Sequence, residues 1–222
     1  MNALSRHTLL SLAAVLAFTL PAPTVIAQTA TPGPTWSQDD TVRITKDVRS
    51  KINRLTTYSV FDWITVGFHG KAIVVKGYAS RPILKKDVDN ALKGIAGVDS
   101  VDNQIEVLPN SPNDDRIRGA VYNRIYTSSP LRKYNANQGT VSRATGPGPN
   151  VAQMAGGITA DPPRGFHDIH IIVKNGNVTL YGVVINEGDF IMAGMMANSA
   201  SGIFSVDNDL VYPAAPAKTK AK

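Results

Sequence analysis

The chain repeats itself. Residues 64–107 align without a gap on residues 169–212, at an offset of 105. Ile64 falls on Ile169 and Gly77 on Gly182, and Gly97 to Asn103 (GVDSVDN) falls on Gly202 to Asn208 (GIFSVDN). The apolar positions keep step: Val66 with Ile171, Ile73 with Val178, Val75 with Leu180, Ile105 with Leu210. Such periodicity means that one small structural unit is built twice, which limits the fold more than any single motif does.

A helix precedes each copy at a different offset, 73, with Ile44, Val48 and Ile52 matching Ile117, Val121 and Ile125. A spacing of four marks one buried helical face. Asp39 and Asp40, and Asn113 to Asp115, suit the two helix N-termini. The two offsets differ by 32, so the second copy carries a 32-residue insertion between its first helix and its first strand.

Each copy continues with a strand over 64–68 or 169–173, then a tight turn, His69-Gly70-Lys71 or Asn175-Gly176-Asn177. A second strand over 73–78 or 178–183, a helix near 82–95 or 187–200, and a third strand over 101–108 or 206–212 complete the unit. The second strand, helix and third strand form a β-α-β crossover. The predicted fold class is α+β: two α-β-β-α-β modules, each a three-stranded mixed sheet with two helices on one face. Gly77 and Gly182, inside strands, read as structural, marking close approach by another element, here a helix lying over the sheet. The modules span 39–109 and 110–213, with a loop insertion near 127–166 in the second. That insertion holds Gly146 to Pro149 (GPGP), Gly156-Gly157 and Pro162-Pro163, and is expected to be long and partly mobile. The Lys/Ala/Pro tail, 214–222, reads as disordered.

The α-β-β-α-β order, the glycine late in the second strand (Gly77, Gly182) and the Gly-x-x-Ser-Val-Asp-Asn lead into the third resemble the BON domain, the bacterial osmotically inducible and nodulation module of envelope proteins. The resemblance covers most of the chain beyond its first 38 residues. It implies a periplasmic, non-catalytic protein of a family associated with binding phospholipid membranes and with osmotic protection. The insertion departs from the compact module.

The N-terminus agrees with export. Arg6 and His7 precede an apolar run from Leu9 to Leu20, Pro21 and Pro23 break it, and Val25-Ile26-Ala27 supplies short residues at a cleavage site. The run is shorter than the roughly 20 residues that span a bilayer. Cleavage after Ala27 is expected, leaving 28–38 as a linker and a product that is not a lipoprotein, since no cysteine follows. The absence of cysteine also excludes disulfides and thiolate metal sites. Of the 23 Lys and Arg, 22 lie beyond residue 27, against 17 Asp and Glu, a basic excess too small to point to nucleic acid.

Chemistry-bearing motifs are scarce. His167-Asp168-Ile169-His170 is the one cluster of ligand-like residues. Zinc needs at least three protein ligands, and the two histidines diverge if the strand begins as early as His167, so a polar strand start is expected and no metal. Nucleophile elbow, Walker loop and dinucleotide fingerprint are absent from the sequence. The prolines of Gly146 to Pro149 remove the N–H donors a phosphate cradle needs. No catalytic residues and no cofactor are expected.

Two surfaces remain as candidates. Charge is uneven: 39–110 carries 11 basic and 9 acidic residues, 111–165 carries 7 and 3, and 166–213 carries 1 and 5. With Ile117, Val121 and Ile125 turned inward, Tyr122 and Tyr126 are expected to point out, flanked by Arg116 and Arg118. Arg124 lies at the edge of the buried stripe, and Arg132 and Lys133 extend the patch. These seven residues form the candidate site for an anionic phospholipid surface. The alternative is a protein-binding surface, as in a periplasmic chaperone or scaffold for envelope proteins. From Phe190 to Val206 no residue is charged, and Phe190, Ile191, Met192, Met195 and Met196 would form the docking helix. Its structural reading is coverage on both faces, by the first module or the insertion.

Overall fold

The computed structural model describes residues 36–135, 157–160 and 162–213. The expected signal segment, nearly all of the linker, the middle of the insertion and the tail lie outside them. The element order is α1 (Gln38–Asn53), β1 (Trp63–His69), β2 (Ala72–Ala79), α2 (Pro82–Lys93), β3 (Ser100–Val107), α3 (Pro112–Tyr126), a 3-10 turn (Arg132–Tyr134), α4 (Gly157–Ala160), β4 (Ile169–Lys174), β5 (Asn177–Val183), α5 (Glu187–Asn198) and β6 (Ser205–Val211). No helix of the described residues is long and apolar enough to cross a membrane.

Two three-stranded sheets form, ordered β1-β2-β3 and β4-β5-β6. In each, the first pair is antiparallel and the second parallel. The offset of 105 survives in the register: Gly77 lies between Ile64 and Ile105, and Gly182 between Ile169 and Leu210. Ser37 and Ser111 cap α1 and α3 by accepting the backbone N–H of Asp40 and Asp114. The acidic residues foreseen at these helix starts therefore sit in the first turn, where the helix dipole favours them.

Each module buries one helical face on one sheet face. Ile44, Val48 and Ile52 of α1 and Leu84, Val88 and Leu92 of α2 pack over Ile73, Val75 and Ile105. Ile117, Val121 and Ile125 of α3 and Ala193 and Ala197 of α5 pack over Ile171, Val178, Leu180 and Leu210.

The element that crowds the strand glycines is not an overlying helix. A Cβ on Gly77 would stand 1.9 Å from the Trp63 carbonyl oxygen, and one on Gly182 would stand 2.0 Å from that of Asp168. Both contacts come from the neighbouring strand's start, and both glycines hold positive φ, 129° and 132°.

The ends of the insertion are packed. Leu131 and Tyr134 are buried beside α3, and Ile158 of α4 joins the same core. Residues 136–156 and 161, where the long loop was expected, lie outside the described residues.

The modules are interlocked. The segment joining α1 to β1 leaves its own module: Val60 and Phe61 belong to the core of the second. Ile171 of β4 donates its N–H to the Val60 carbonyl at 2.9 Å. On the other side, Val60 N–H donates to Pro163 and Gly165 N–H to Tyr58, making an antiparallel bridge at Ser59 and Arg164. The helix-free faces of the two sheets also meet. Trp63 stacks on Tyr181 (5.4 Å, 4°), Tyr181 lies 6.3 Å from Tyr78, and Lys174 pairs with Glu106 at 2.7 Å.

Candidate functional site

The expected lipid patch divides into buried and exposed halves. Tyr122 and Tyr126 do not point out; they are 4% and 2% exposed. Tyr122 lies edge-on to Phe61 at 6.3 Å, and Tyr126 donates its hydroxyl to the Ile169 carbonyl. Arg118 is buried as well: one guanidinium nitrogen donates to the Val173 carbonyl at 2.8 Å, another pairs with Asp115. The physical reason is that α3 is covered from two sides. Its Ile117 stripe faces the sheet, while the flank bearing 118, 122 and 126 faces the 58–62 segment and the edge of β4.

Lys133 is half-exposed but engaged, 2.7 Å from the Asp189 carboxylate. Tyr134 donates to the same carboxylate and accepts the Ile185 N–H at 2.8 Å, so the 3-10 turn clamps the start of α5. Arg116, Arg124 and Arg132 remain on the surface. Among the described residues none of the three has a carboxylate partner. Arg116 and Arg124 share the exposed arc of α3, some 12 Å apart at 1.5 Å per residue.

The apolar helix α5 is not covered on both faces. Ala193 and Ala197 are buried and Phe190, Met192 and Met196 pack partly against the core, but Ile191 and Met195 are 51% and 59% exposed. They are one turn apart, so they share a face. Among the described residues, the insertion meets the α5 start through Tyr134 and Lys133 to Asp189.

The condition under which the two histidines would diverge does not hold. β4 begins at Ile169, so His167 precedes it, and the rings stand edge-on 6.1 Å apart. His167 Nε2 lies 3.1 Å from the Pro163 carbonyl and His170 Nε2 3.4 Å from the Tyr58 hydroxyl. Among the described residues no group of three ligand-type side chains is arranged to hold a metal. Beside them Asp62 is fully buried and accepts from Ser59 N–H (2.9 Å), Ser80 N–H (2.6 Å), and the Ser59 and Ser80 hydroxyls. This network anchors the linking segment.

Burial, aided by the nearby His167, depresses His170 to about 3, and burial also lowers His167. The His170 ring thus stays neutral in the folded chain well below the pH, near 6.5, at which unfolded histidine titrates, and His167 shifts in the same direction. The unfolded chain therefore binds more protons below about pH 6.5, and stability present above that pH is lost as pH falls towards 3. Burial raises Asp62, which acts in the opposite sense at the acid end. Stability is expected to fall between pH 7 and 5, by up to about 1.4 kcal/mol per pH unit from His170, and the melting temperature with it. His170→Gln should flatten that slope; an equal slope in the variant would remove His170 as its source.

Two solved structures described as CdsD, a structural protein of the type III secretion system of Chlamydia trachomatis, one of them its C-terminal domain, are similar at 14% identity and a TM-score of 0.24 each. They cover 78% and 81% of this chain and 93% and 100% of theirs. A likeness that distant carries no argument about function. A search of curated proteins gives no significant match. The family model described as the BON domain matches residues 40–109 and 155–214, the two repeats. The second match begins after α3, which packing on β4 and α5 joins to the second module. With two copies of the fold and two matches covering more than half its length, this chain belongs to the BON-domain family.

Proposed function

We propose that this is a non-catalytic periplasmic protein that binds anionic phospholipid surfaces and so contributes to envelope integrity or osmotic protection. Its BON membership and its leader-like N-terminus support the setting. The observation that carries the lipid reading is the set of exposed arginines, Arg116, Arg124 and Arg132, without carboxylate partners among the described residues. A basic side chain near an anionic membrane contributes on the order of 1 kcal/mol, so three give weak, reversible, salt-sensitive binding.

The test is co-sedimentation with anionic and neutral liposomes at low and physiological salt. Arg116, Arg124 and Arg132 together changed to Glu should weaken anionic binding by about 100-fold or more with the melting temperature kept, because all three are exposed. Unchanged binding moves the contact elsewhere. No binding by the parent at low salt overturns the lipid reading.

One observation favours a second reading, a chaperone or scaffold: the exposed pair Ile191 and Met195 on α5. Salt-insensitive suppression of a client's aggregation, lost in a double change of Ile191 and Met195 to Ser, would support it over the first.

A further inference from the structure

Between the two modules lies a cavity of about 490 Å³ whose lining includes Arg81 from the first module and Arg118 from the second. Its walls come from the start of α2, from the stretch joining β3 to α3, and from the first turns of α3. Asp115 is the one carboxylate among the lining residues.

The chain does not satisfy these two arginines. Arg118 is 4% exposed. One of its terminal nitrogens pairs with Asp115 and the other donates to the Val173 carbonyl, while its Nε–H has no acceptor. Arg81 has no carboxylate partner among the described residues, and its Nε–H is likewise buried without an acceptor. Buried donors in folded proteins are nearly always paired, with protein, ordered water or a bound ion. Two such donors on cationic side chains in one cavity point to an anion as the shared acceptor.

The helix beside them adds to the same field. α2 starts in this wall with Pro82, and no side chain caps it, whereas Ser37, Ser111 and Asn186 cap α1, α3 and α5. Unpaired N–H groups and the positive end of the helix dipole favour an oxyanion there. Asp62 lies behind Ser80, outside the lining, and its carboxylate is taken up by Ser59 and Ser80. Two guanidinium groups against one carboxylate leave the lining net positive.

We propose that this cavity binds a small soluble phosphate monoester, with its phosphate between Arg81, Arg118 and the start of α2. A phosphate presents three acceptor oxygens to donors converging from separate directions, where a planar carboxylate presents two. Phe61, Leu108 and Pro109 supply apolar wall for the organic part. The burial of Arg118 keeps a flat membrane surface from reaching it, so the ligand is a free molecule. The inference is independent of the lipid reading, because Arg116, Arg124 and Arg132 take no part.

The test is calorimetric titration of the full chain with glycerol 3-phosphate at constant ionic strength. Saturable binding to a single site is expected. Arg81→Gln should weaken it by about tenfold or more, the worth of a hydrogen bond to a charged group, and should leave the melting temperature of the free protein unchanged. Asp115→Asn should tighten it by about threefold or more, because it removes the carboxylate that competes for Arg118; a merely structural Asp115 predicts no gain. Arg116→Gln, exposed on the same helix, is the control and should leave the affinity as it is. No saturable binding, or equal affinity in Arg81→Gln, overturns the proposal. An equal loss in Arg116→Gln also overturns it, since the attraction is then diffuse charge. Arg81-dependent binding of phosphatidic acid vesicles, with none of glycerol 3-phosphate, overturns the free ligand and assigns the cavity to a lipid headgroup.

Discussion

Phe61→Ala is expected to cost about 3–5 kcal/mol, the range for deleting a fully buried aromatic ring, although Phe61 lies in a linking segment. The ring is 1% exposed and packs among Ile117, Val121, Tyr122, Ile169 and Ile171, all in the other module. Removing it leaves a cavity between α3 and β4, and the flanking anchors, Asp62 and the Val60 carbonyl, hinder collapse. Urea unfolding followed by circular dichroism gives the free energy. Hydrogen exchange locates the loss, expected over β4 and α3 rather than over β1 and β2. A change below about 1 kcal/mol would mean that the segment is not part of that core.

The same interlock explains which residues local pattern placed wrongly. The repeat, the strand register and the Ile117, Val121, Ile125 stripe were legible because they rest on periods of 2 and 3.6 along the chain. The burial of Arg118, Tyr122 and Tyr126 was not, because what covers them comes from residues 58–62 and from the edge of β4. No periodicity within α3 records a cover supplied from more than forty positions away. A usable signal did exist for the sheet–sheet contact. Trp63, Tyr78 and Tyr181 occupy outward strand positions that would be polar on a solvated face, and three aromatics there mark a covered one. For α5, lack of charge is compatible with coverage on both faces and with an open docking face alike, and Ile191 and Met195 are open. Composition gives a helix's affinity for cover, not whether the cover is present.

Gly182→Ala is expected to destabilise by about 3 kcal/mol or more, and Gly77→Ala by a similar amount in its own module. The new Cβ would meet a carbonyl oxygen at 2.0 Å in one case and 1.9 Å in the other. Neither oxygen is the end of a flexible side chain. The Asp168 carbonyl also accepts the Val183 N–H at 2.9 Å, so moving it breaks the ladder at its end. Positive φ adds strain whatever room is made. Gly67 supplies the control. It lies in β1 with no positive φ, and an added Cβ there meets nothing within 4 Å. Gly67→Ala should therefore be neutral, or stabilise by up to about 1 kcal/mol through the unfolded chain. Melting curves of the three variants decide between site-specific crowding and a general intolerance of the sheets to side chains. Equal losses at 67, 77 and 182 would favour the latter, and an unchanged melting temperature for Gly182→Ala would contradict the crowding derived from the Asp168 carbonyl.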